Sequence, residues 1–350
     1  MSLTRADLDA LPSYVPGRTV TGAIKLASNE VPYGPLPGVP EAIAEAAANT
    51  HRYPDMAVVA LREKLAARLG VDVLRVATGC GSVALAEHLV RATCLGARDE
   101  VLYAWRSFEA YPIIAAAAGA TSVRVPNRPD HGHDLAAMAA AVTARTRVVF
   151  VCNPNNPTGT AVRKAELDAF LDTVPDTTLV VLDEAYREFV TDPAVPDGLD
   201  TYGDRPNVVV LRTLSKAWGL AGLRIGYLVA AEPVADAVRK VTTPFSASAL
   251  AQAAALAALD AGHEMRRRAD LVVAERERVR AAIQKLLPEV PDTQANFVWL
   301  PLRDKATEFA ATCERHRVIV RPFQGDGVRV TIGTPDENDA FLAAAEEALS

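Results

Sequence analysis

The chain has 350 residues, of which 50% are hydrophobic and 23% are charged, so it can bury the core of more than one domain. Its formal net charge of -6 leaves no surplus of positive charge for phosphate backbones or anionic lipid headgroups, which argues against nucleic-acid and membrane partners. The amino-terminal segment lacks the basic and apolar regions of a signal peptide, so we expect a cytoplasmic protein. The cysteines show no metal-ligand spacing, and no metal is expected.

Helical and strand-like segments alternate along most of the chain, which favours a parallel sheet covered by helices on both faces. In chain order, the pattern predicts helices at 41–48 and 58–69, a strand at 73–77, a helix at 83–92 and strands at 101–104, 148–152, 179–182, 208–211 and 223–229. It then predicts helices at 247–261 and 269–287, a strand at 296–300, a helix at 305–315, strands at 318–321 and 328–332, and a last acidic helix. We therefore predict an α/β fold with a mostly parallel central sheet, followed by a smaller α+β domain.

Polar segments follow several of the predicted strands, at the sheet edge where ligands bind in open α/β folds. The small residues at 77–82 open a helix and suit an anion at its amino terminus. The loop at 153–159 carries asparagines between prolines, and Asp183 ends a buried strand, where a carboxylate needs a cationic partner. Lys216 follows the next strand, and Arg224 lies shortly after it. Together these groups suggest a charged ligand.

The segment at 77–82 also fits a weak dinucleotide-binding pattern. Gly79, Gly81 and Ala84 give G-x-G-x-x-A, and Asp99 and Glu100 follow about twenty residues later. A ribose-binding acid belongs at the carboxyl end of the second strand, whereas these two acids precede the strand at 101–104. The geometry therefore argues against NAD.

Each charged residue has a plain structural interpretation when it is taken alone. Lys216 can be a solvated amine, Asp183 a helix cap and Arg224 a surface charge. A phosphate-binding turn, a buried acid, a lysine and an arginine at neighbouring strand ends instead match the needs of a phosphorylated aldehyde cofactor. The combination favours a cofactor site.

Three motifs resemble those of the fold-type I pyridoxal-phosphate aminotransferases: NPNNPTG at 153–159, DEAY at 183–186 and SKAWGLAGLRIGY at 215–227. The histidinol-phosphate aminotransferase branch is the most similar, through SNEVPYG at 28–34, RYPD at 52–55 and VRVTIGTPDENDAF at 328–341. Within this branch, the chain is most similar to the aromatic amino acid (phenylalanine) aminotransferases, through WRSFEAYPI at 105–113, PFSASALAQAA at 244–254 and VIVRPF at 318–323. The resemblance implies an arm at 1–30 that packs with the small domain and a dimer partner, a large domain at 31–245 and a small domain at 246–350.

The resemblance also implies the cofactor pyridoxal 5'-phosphate and a role for each matching residue. Lys216 would bond covalently to the cofactor and carry protons, and Asp183 would keep the pyridine nitrogen charged, with Tyr186 as the third catalytic residue. The remaining implied cofactor contacts are Gly81, Ser82, Phe108, Asn156, Thr213, Ser215 and Arg224, with Tyr53 from the neighbouring subunit of a homodimer with shared active sites. Arg329 and Asn29 would bind the substrate α-carboxylate.

The expected reaction moves an amino group from an aromatic amino acid to 2-oxoglutarate in a ping-pong mechanism, alternating the pyridoxal and pyridoxamine forms of the cofactor. Phe108, Tyr14, Phe245 and Phe323 are candidates for an apolar side-chain pocket, although ordinary core packing explains most of them equally well. Histidinol-phosphate transamination is the alternative, because Arg321 matches a position that supplies a cation for that substrate's phosphate. Decarboxylation of a phosphorylated amino acid is a third and less favoured alternative. A cofactor-sensing regulator would need a DNA-binding domain, for which the chain has no room.

Overall fold

A computed structural model describes residues 5, 8, 11 and 17–350 of the chain. The described strands are β1 (Ile24–Lys25), β2 (Val76–Gly79), β3 (Glu100–Trp105), β4 (Thr121–Pro126), β5 (Thr146–Cys152), β6 (Leu179–Asp183), β7 (Val208–Thr213), β8 (Gly226–Val229), β9 (Phe297–Leu300), β10 (Val318–Ile319), β11 (Arg321–Phe323) and β12 (Gly327–Thr331). The described α-helices are α1 (Val39–Ala47), α2 (Val59–Leu69), α3 (Gly81–Thr93), α4 (Ala110–Ala117), α5 (Leu135–Ala140), α6 (Lys164–Thr173), α7 (Gly198–Tyr202), α8 (Glu232–Val241), α9 (Ala249–Asp260), α10 (Gly262–Leu286), α11 (Ala306–Arg315) and α12 (Pro335–Leu349).

Seven strands form the large sheet in the order β2-β8-β7-β6-β5-β3-β4. Strand β8 runs antiparallel to both of its neighbours, whereas every other pairing between adjacent strands is parallel. The predicted α/β fold with a mostly parallel central sheet is therefore confirmed.

Apolar side chains cover both faces of this sheet. On β3, Val101 and Tyr103 belong to one core cluster while Leu102 and Ala104 belong to the other, as the alternation of side chains along a strand requires. Helices α3, α4 and α8 contribute to the first cluster, and α5 and α6 contribute to the second. Because the central strands are buried on both faces, they appear in the sequence as continuous β-branched runs.

Three strands form a smaller antiparallel sheet in the order β11-β12-β9. Strand β1 pairs in parallel with β10, with Ile24 opposite Val318, so the segment before the large sheet joins the carboxyl-terminal part of the chain. The predicted strand at 318–321 is wrong in one respect, because Val320 separates β10 from β11.

Two other predicted strands begin later than expected. Residues 73–75 form a 3-10 turn, in which the Asp72 side chain accepts a hydrogen bond from the Leu74 amide, and β2 starts only at Val76. Residues 221–223 form a second such turn before Arg224, whose φ of 54° lies in the left-handed region. Short apolar runs do not distinguish a turn from the strand that follows it.

Within the described part of the chain, no helix combines the length and the apolar character that crossing a bilayer requires. The same residues contain no group of three or more histidine, cysteine, aspartate or glutamate side chains able to hold a metal ion.

Candidate active site

A cavity of about 460 Å³ lies beside the carboxyl ends of β5, β6 and β7, where Cys152, Asp183 and Thr213 are the last strand residues. Most of the side chains predicted from the sequence line this cavity: Asn29, Ser82, Phe108, Asn156, Asp183, Tyr186, Thr213, Ser215, Lys216, Arg224, Arg321 and Arg329. Residues as far apart in the sequence as Asn29 and Arg329, which are 300 positions apart, thus meet in one place.

Lys216 extends into the cavity from the segment after β7, and its Nζ donates a hydrogen bond of 3.2 Å to the carbonyl oxygen of Ser28. Burial, together with the positive charges of Arg329 and Arg224, lowers the pKa of this amine to about 7. An amine with this pKa is partly neutral near pH 7, which is the form that attacks an aldehyde.

Asp183 is almost fully buried at the end of β6, and burial raises the pKa of its carboxyl to about 6. Its Oδ2 accepts a hydrogen bond of 2.7 Å from the Tyr111 hydroxyl. Its Oδ1 has no hydrogen-bond partner among the described residues, although such a buried atom normally has one. A ligand that carries a charged N–H group would satisfy this oxygen.

The turn between β2 and α3 is shaped for an anion. Gly81 has a φ of +81°, and a Cβ there would lie 2.5 Å from Nη2 of Arg224, so only glycine allows the guanidinium this close. Arg224 Nη1 donates to Ser215 Oγ at 3.3 Å, and the Ser215 amide donates to Thr213 Oγ1 at 3.1 Å. The first turn of α3 contains no acidic residue, so its positive end faces this cluster without a competing carboxylate.

A second polar cluster connects the small sheet to the cavity. Arg329, on β12, donates hydrogen bonds to Asn156 Oδ1 at 2.6 Å and to the Ala27 carbonyl oxygen at 2.8 Å. Asn29 Nδ2 donates to the Tyr186 hydroxyl at 2.9 Å, and burial raises the pKa of that hydroxyl. The cluster presents an arginine, two amides and a phenol to the same space, which suits a substrate carboxylate and a cofactor oxygen.

A second arginine lies next to Arg329 across the small sheet, because Arg321 on β11 is its direct register partner. Arg321 Nη2 donates to Glu109 Oε2 at 2.9 Å, and its guanidinium lies 5.1 Å from the centre of the Phe323 ring. Phe108, Glu109 and Phe323 all line the cavity. This part of the wall therefore combines aromatic surface with a paired charge.

Two of the predicted site residues that the structure describes, Gly81 and Tyr53, do not line this cavity. Gly81 lies beside it, against Arg224. Tyr14 lies outside the described residues. Tyr53 is 83% exposed and stacks on Phe245, with the ring centres 4.5 Å apart. The suggestion that Phe245 contributes to the side-chain pocket is wrong for the pocket of its own chain, because this ring lies partly exposed on the surface beside Tyr53.

Sequence reasoning missed two residues of the site, Tyr111 and Glu109. Both belong to the motif at 105–113, in which only Phe108 received a role. Tyr111 lies in the first turn of α4, one helical turn after Phe108, and its hydroxyl reaches Asp183 across the core. A prediction that α4 starts just after Phe108 would have placed both rings on one side of that helix.

The residues fit pyridoxal 5'-phosphate. The Asp183 oxygen without a partner suits the pyridine nitrogen, Lys216 offers an amine of lowered pKa, and the turn at Gly81 suits the phosphate. The fold and these side chains define an enzyme of fold type I that depends on this cofactor.

The profile of the family "Aminotransferase class I and II" matches residues 21–344, and the chain belongs to this family. The aromatic amino acid aminotransferase of Streptomyces avermitilis is 56% identical over 346 residues, which cover 98% of this chain and 96% of the relative. The protein of the same name from Thermobifida fusca is 58% identical over 345 residues, covering 97% and 96% of the two chains. A solved structure of histidinol-phosphate aminotransferase from Sinorhizobium meliloti, in complex with pyridoxal-5'-phosphate, superposes with a TM-score of 0.87 at 30% identity and covers 100% of this chain and 98% of the other. The protein is thus an aminotransferase that uses pyridoxal phosphate.

Proposed function

We propose that this aminotransferase transfers the amino group of an aromatic amino acid to 2-oxoglutarate in a ping-pong reaction. The observation that carries the proposal is the single cavity that combines Lys216 and Asp183 with Arg329 and the rings of Phe108 and Phe323. The names of the relatives that are 56% and 58% identical support the aromatic donor. An arginine for a carboxylate beside an aromatic wall is the arrangement that such a donor needs.

The proposed cofactor contacts follow from the clusters around the cavity. Gly81, Ser82, Thr213, Ser215 and Arg224 hold the phosphate at the start of α3, where the amide groups and the helix dipole favour an anion. Phe108 packs against the ring face, and Asn156 and Tyr186 donate hydrogen bonds to the ring oxygen. In the described structure Asn156 and Tyr186 already contact Arg329 and Asn29, so cofactor and substrate groups are held by one network.

When it is bound, the cofactor withdraws electrons from the substrate α-carbon and stores the amino group between the two half-reactions. Asp183 keeps the ring nitrogen charged, because a buried carboxylate strongly favours a cationic partner. Lys216 would hold the cofactor covalently in the resting enzyme, and its freed amine would move a proton to and from the substrate α-carbon. Arg329 holds the α-carboxylate through paired hydrogen bonds, and Asn29 assists it.

We further propose a homodimer with shared active sites. Tyr53 is largely exposed and stacks on the partly exposed Phe245, and neither ring lines the described cavity of its own chain. An aromatic pair of this kind is typical of a protein interface, and Tyr53 would reach the cofactor phosphate of the partner. The proposed domains are the large one at 31–245 and the small one at 246–350, with an arm at 1–30 that packs with the small domain and the dimer partner.

The donor is tested with a panel of amino acids and 2-oxoglutarate. We expect kcat/KM for phenylalanine and tyrosine to exceed that for histidinol phosphate at least about tenfold, since an aromatic wall favours an uncharged ring. Alanine is the control, because it binds the same α-carboxylate site with only a methyl side chain. A preference for histidinol phosphate would reject the aromatic proposal.

Histidinol-phosphate transamination is the second candidate. Arg321 favours it, because the guanidinium lines the cavity and can bind a phosphate, and the name of the S. meliloti structure gives the same activity for that protein. The same assay with a phosphorylated amino acid in place of the donor, followed for release of carbon dioxide, tests the decarboxylation.

The shared active site is tested by mixing two inactive variants. Lys216→Ala lacks the covalent attachment point, and Tyr53→Ala lacks the proposed contact to the partner's cofactor. A mixed dimer contains one site with both defects and one with neither, so mixing should restore activity. Absence of recovery, with mixed dimers shown by mass spectrometry, would count against shared sites.

A further inference from the structure

The cavity wall contains a charged network that the proposed chemistry does not use. Arg321 is only slightly exposed, and it pairs with Glu109 at 2.9 Å. Glu109 also lies 3.8 Å from Arg106, which in turn pairs with Asp326 at 2.5 Å. Two cations and two anions thus balance each other along one side of the cavity.

Only one carboxylate of this network faces the ligand space, because Glu109 lines the cavity whereas Asp326 does not. Arg321 also lines it, next to Phe108 and Phe323. We call these four cavity-lining residues the side-chain subsite: Phe108, Glu109, Arg321 and Phe323. Arg329, which is the direct register partner of Arg321, lies beside this subsite and is the proposed contact of the α-carboxylate.

We propose that Glu109 selects substrates by charge, because it occupies Arg321 and presents a negative charge to any anionic group that enters the side-chain subsite. This inference rests on the proposed function and names the residue that sets its side-chain preference. An uncharged ring fills the space between Phe108 and Phe323 without disturbing the ion pair. A distal phosphate or carboxylate must instead displace Glu109 from Arg321 and lie close to it, which is a repulsive contact.

The same network explains how one cavity accepts both proposed substrates. The distal carboxylate of 2-oxoglutarate can replace Glu109 as the partner of Arg321, since Glu109 keeps Arg106 as a nearby cation. A carboxylate that retains a cation is not left unpaired, so the exchange remains feasible. The exchange still weakens the binding of 2-oxoglutarate relative to a subsite that lacks Glu109.

The test replaces Glu109 with glutamine, which preserves the shape and removes the charge. Binding to the cofactor-loaded enzyme is measured by calorimetry with two unreactive carboxylates, glutarate and 3-phenylpropionate. We expect Glu109→Gln to lower the Kd of glutarate about tenfold and to leave that of 3-phenylpropionate within about twofold, because only glutarate brings a second charge to the subsite. In turnover assays, KM for 2-oxoglutarate should fall, and kcat/KM for glutamate should rise relative to that for phenylalanine.

Two further variants separate this role from general effects. In the Arg321→Gln background, Glu109→Gln should give no gain for glutarate, since the cation that it would release is absent. Asp172, on α6, forms an exposed pair with Arg205 outside the cavity, so Asp172→Asn should change neither Kd. An equal gain for both ligands, an unchanged Kd for glutarate, or a gain that persists without Arg321 would overturn the proposal.

The outcomes separate this inference from the proposed function. If the native enzyme did not turn over phenylalanine, the proposed donor would be wrong, whereas the contrast between glutarate and 3-phenylpropionate would still report on Glu109. If phenylalanine were a good donor and Glu109→Gln left that contrast unchanged, the role of Glu109 alone would be rejected.

Discussion

The Tyr111 hydroxyl donates a hydrogen bond of 2.7 Å to Asp183 Oδ2, and both side chains are buried. The Tyr111 ring stacks on Phe150, with ring centres 4.5 Å apart, and meets Phe108 edge to face at 5.6 Å. These contacts prevent the tyrosine from turning away. The Asp183 carboxylate is therefore held in one orientation, and its other oxygen has no hydrogen-bond partner among the described residues.

Replacing Tyr111 with phenylalanine should impair the enzyme through Asp183. The hydroxyl lowers the pKa of the carboxyl, so its loss should raise that pKa and move the acidic limb of the pH-rate profile to higher pH. A hydrogen bond to a charged group contributes about 1.5 kcal/mol or more, so we expect a fall in kcat of at least about tenfold.

Tyr103→Phe is the matched control for this variant. Tyr103 is also fully buried, and its hydroxyl contacts Arg124 at 3.3 Å rather than Asp183. The Tyr103→Phe variant should leave the acidic limb of the pH-rate profile in place. If the acidic limb of the pH-rate profile did not shift in Tyr111→Phe, the Tyr111 hydroxyl would have no influence on the pKa of Asp183.

Lys216→Ala should abolish turnover and the visible absorbance of the bound cofactor, because the covalent attachment point is removed. Without cofactor, the melting temperature of this variant should not fall below that of the native enzyme. Burial disfavours the charged form of the Lys216 amine, so removing the amine costs no stability. Lys240→Ala, at an exposed lysine paired with Asp236, is the control and should behave like the native enzyme. Retained turnover in Lys216→Ala would mean that another residue holds the cofactor.

Attachment of the cofactor to the enzyme should depend on pH with a midpoint near the pKa of Lys216. Burial lowers this pKa to about 7, and the neutral amine is the reactive form, so the rate should rise with pH and level off above the midpoint. An ordinary lysine would place the midpoint at about pH 10.4. The rate is followed by absorbance after pyridoxal phosphate is added to the cofactor-free enzyme.

Variants at Arg329 test the cause of this shift. Its positive charge contributes to lowering the pKa of Lys216, so Arg329→Gln should move the midpoint to higher pH. Arg329→Lys keeps the charge and should leave the midpoint nearly unchanged. Equal midpoints in the two variants would show that the charge of Arg329 does not contribute to the lowered pKa of Lys216.

Gly81→Ala should weaken cofactor binding. The added Cβ would lie 2.5 Å from Arg224 Nη2, and the φ of +81° is unfavourable for alanine. We expect the Kd of pyridoxal phosphate, measured by fluorescence titration, to rise at least about tenfold, since a strain of about 1.4 kcal/mol is sufficient. Gly34→Ala, where a Cβ meets nothing within 4 Å, is the control. Native affinity in Gly81→Ala would contradict the proposed phosphate site.

The sequence predicted the elements of the large sheet because buried strands are short β-branched runs that end in polar residues. It also identified Asp183, Lys216 and the turn at Gly81, since buried charges and small residues at strand ends have few structural explanations. It did not reveal Tyr111 or Glu109. Each is an ordinary residue of a helix start, and its role depends on a partner that is distant in the sequence, 72 positions away for Tyr111 and 212 positions away for Glu109.

By itself, the sequence determined which side chains are available and which strands are buried, because hydrophobic periodicity and turn residues are local properties. Only the tertiary structure decided how those side chains meet. Strand β8 runs against its neighbours, so its beginning, just after Arg224, lies at the edge where β7 ends, with Gly226 opposite Thr213. The pairing of β11 with β12 likewise sets Arg321 beside Arg329. Strand direction and register depend on contacts between distant segments, and no local pattern in the chain encodes them.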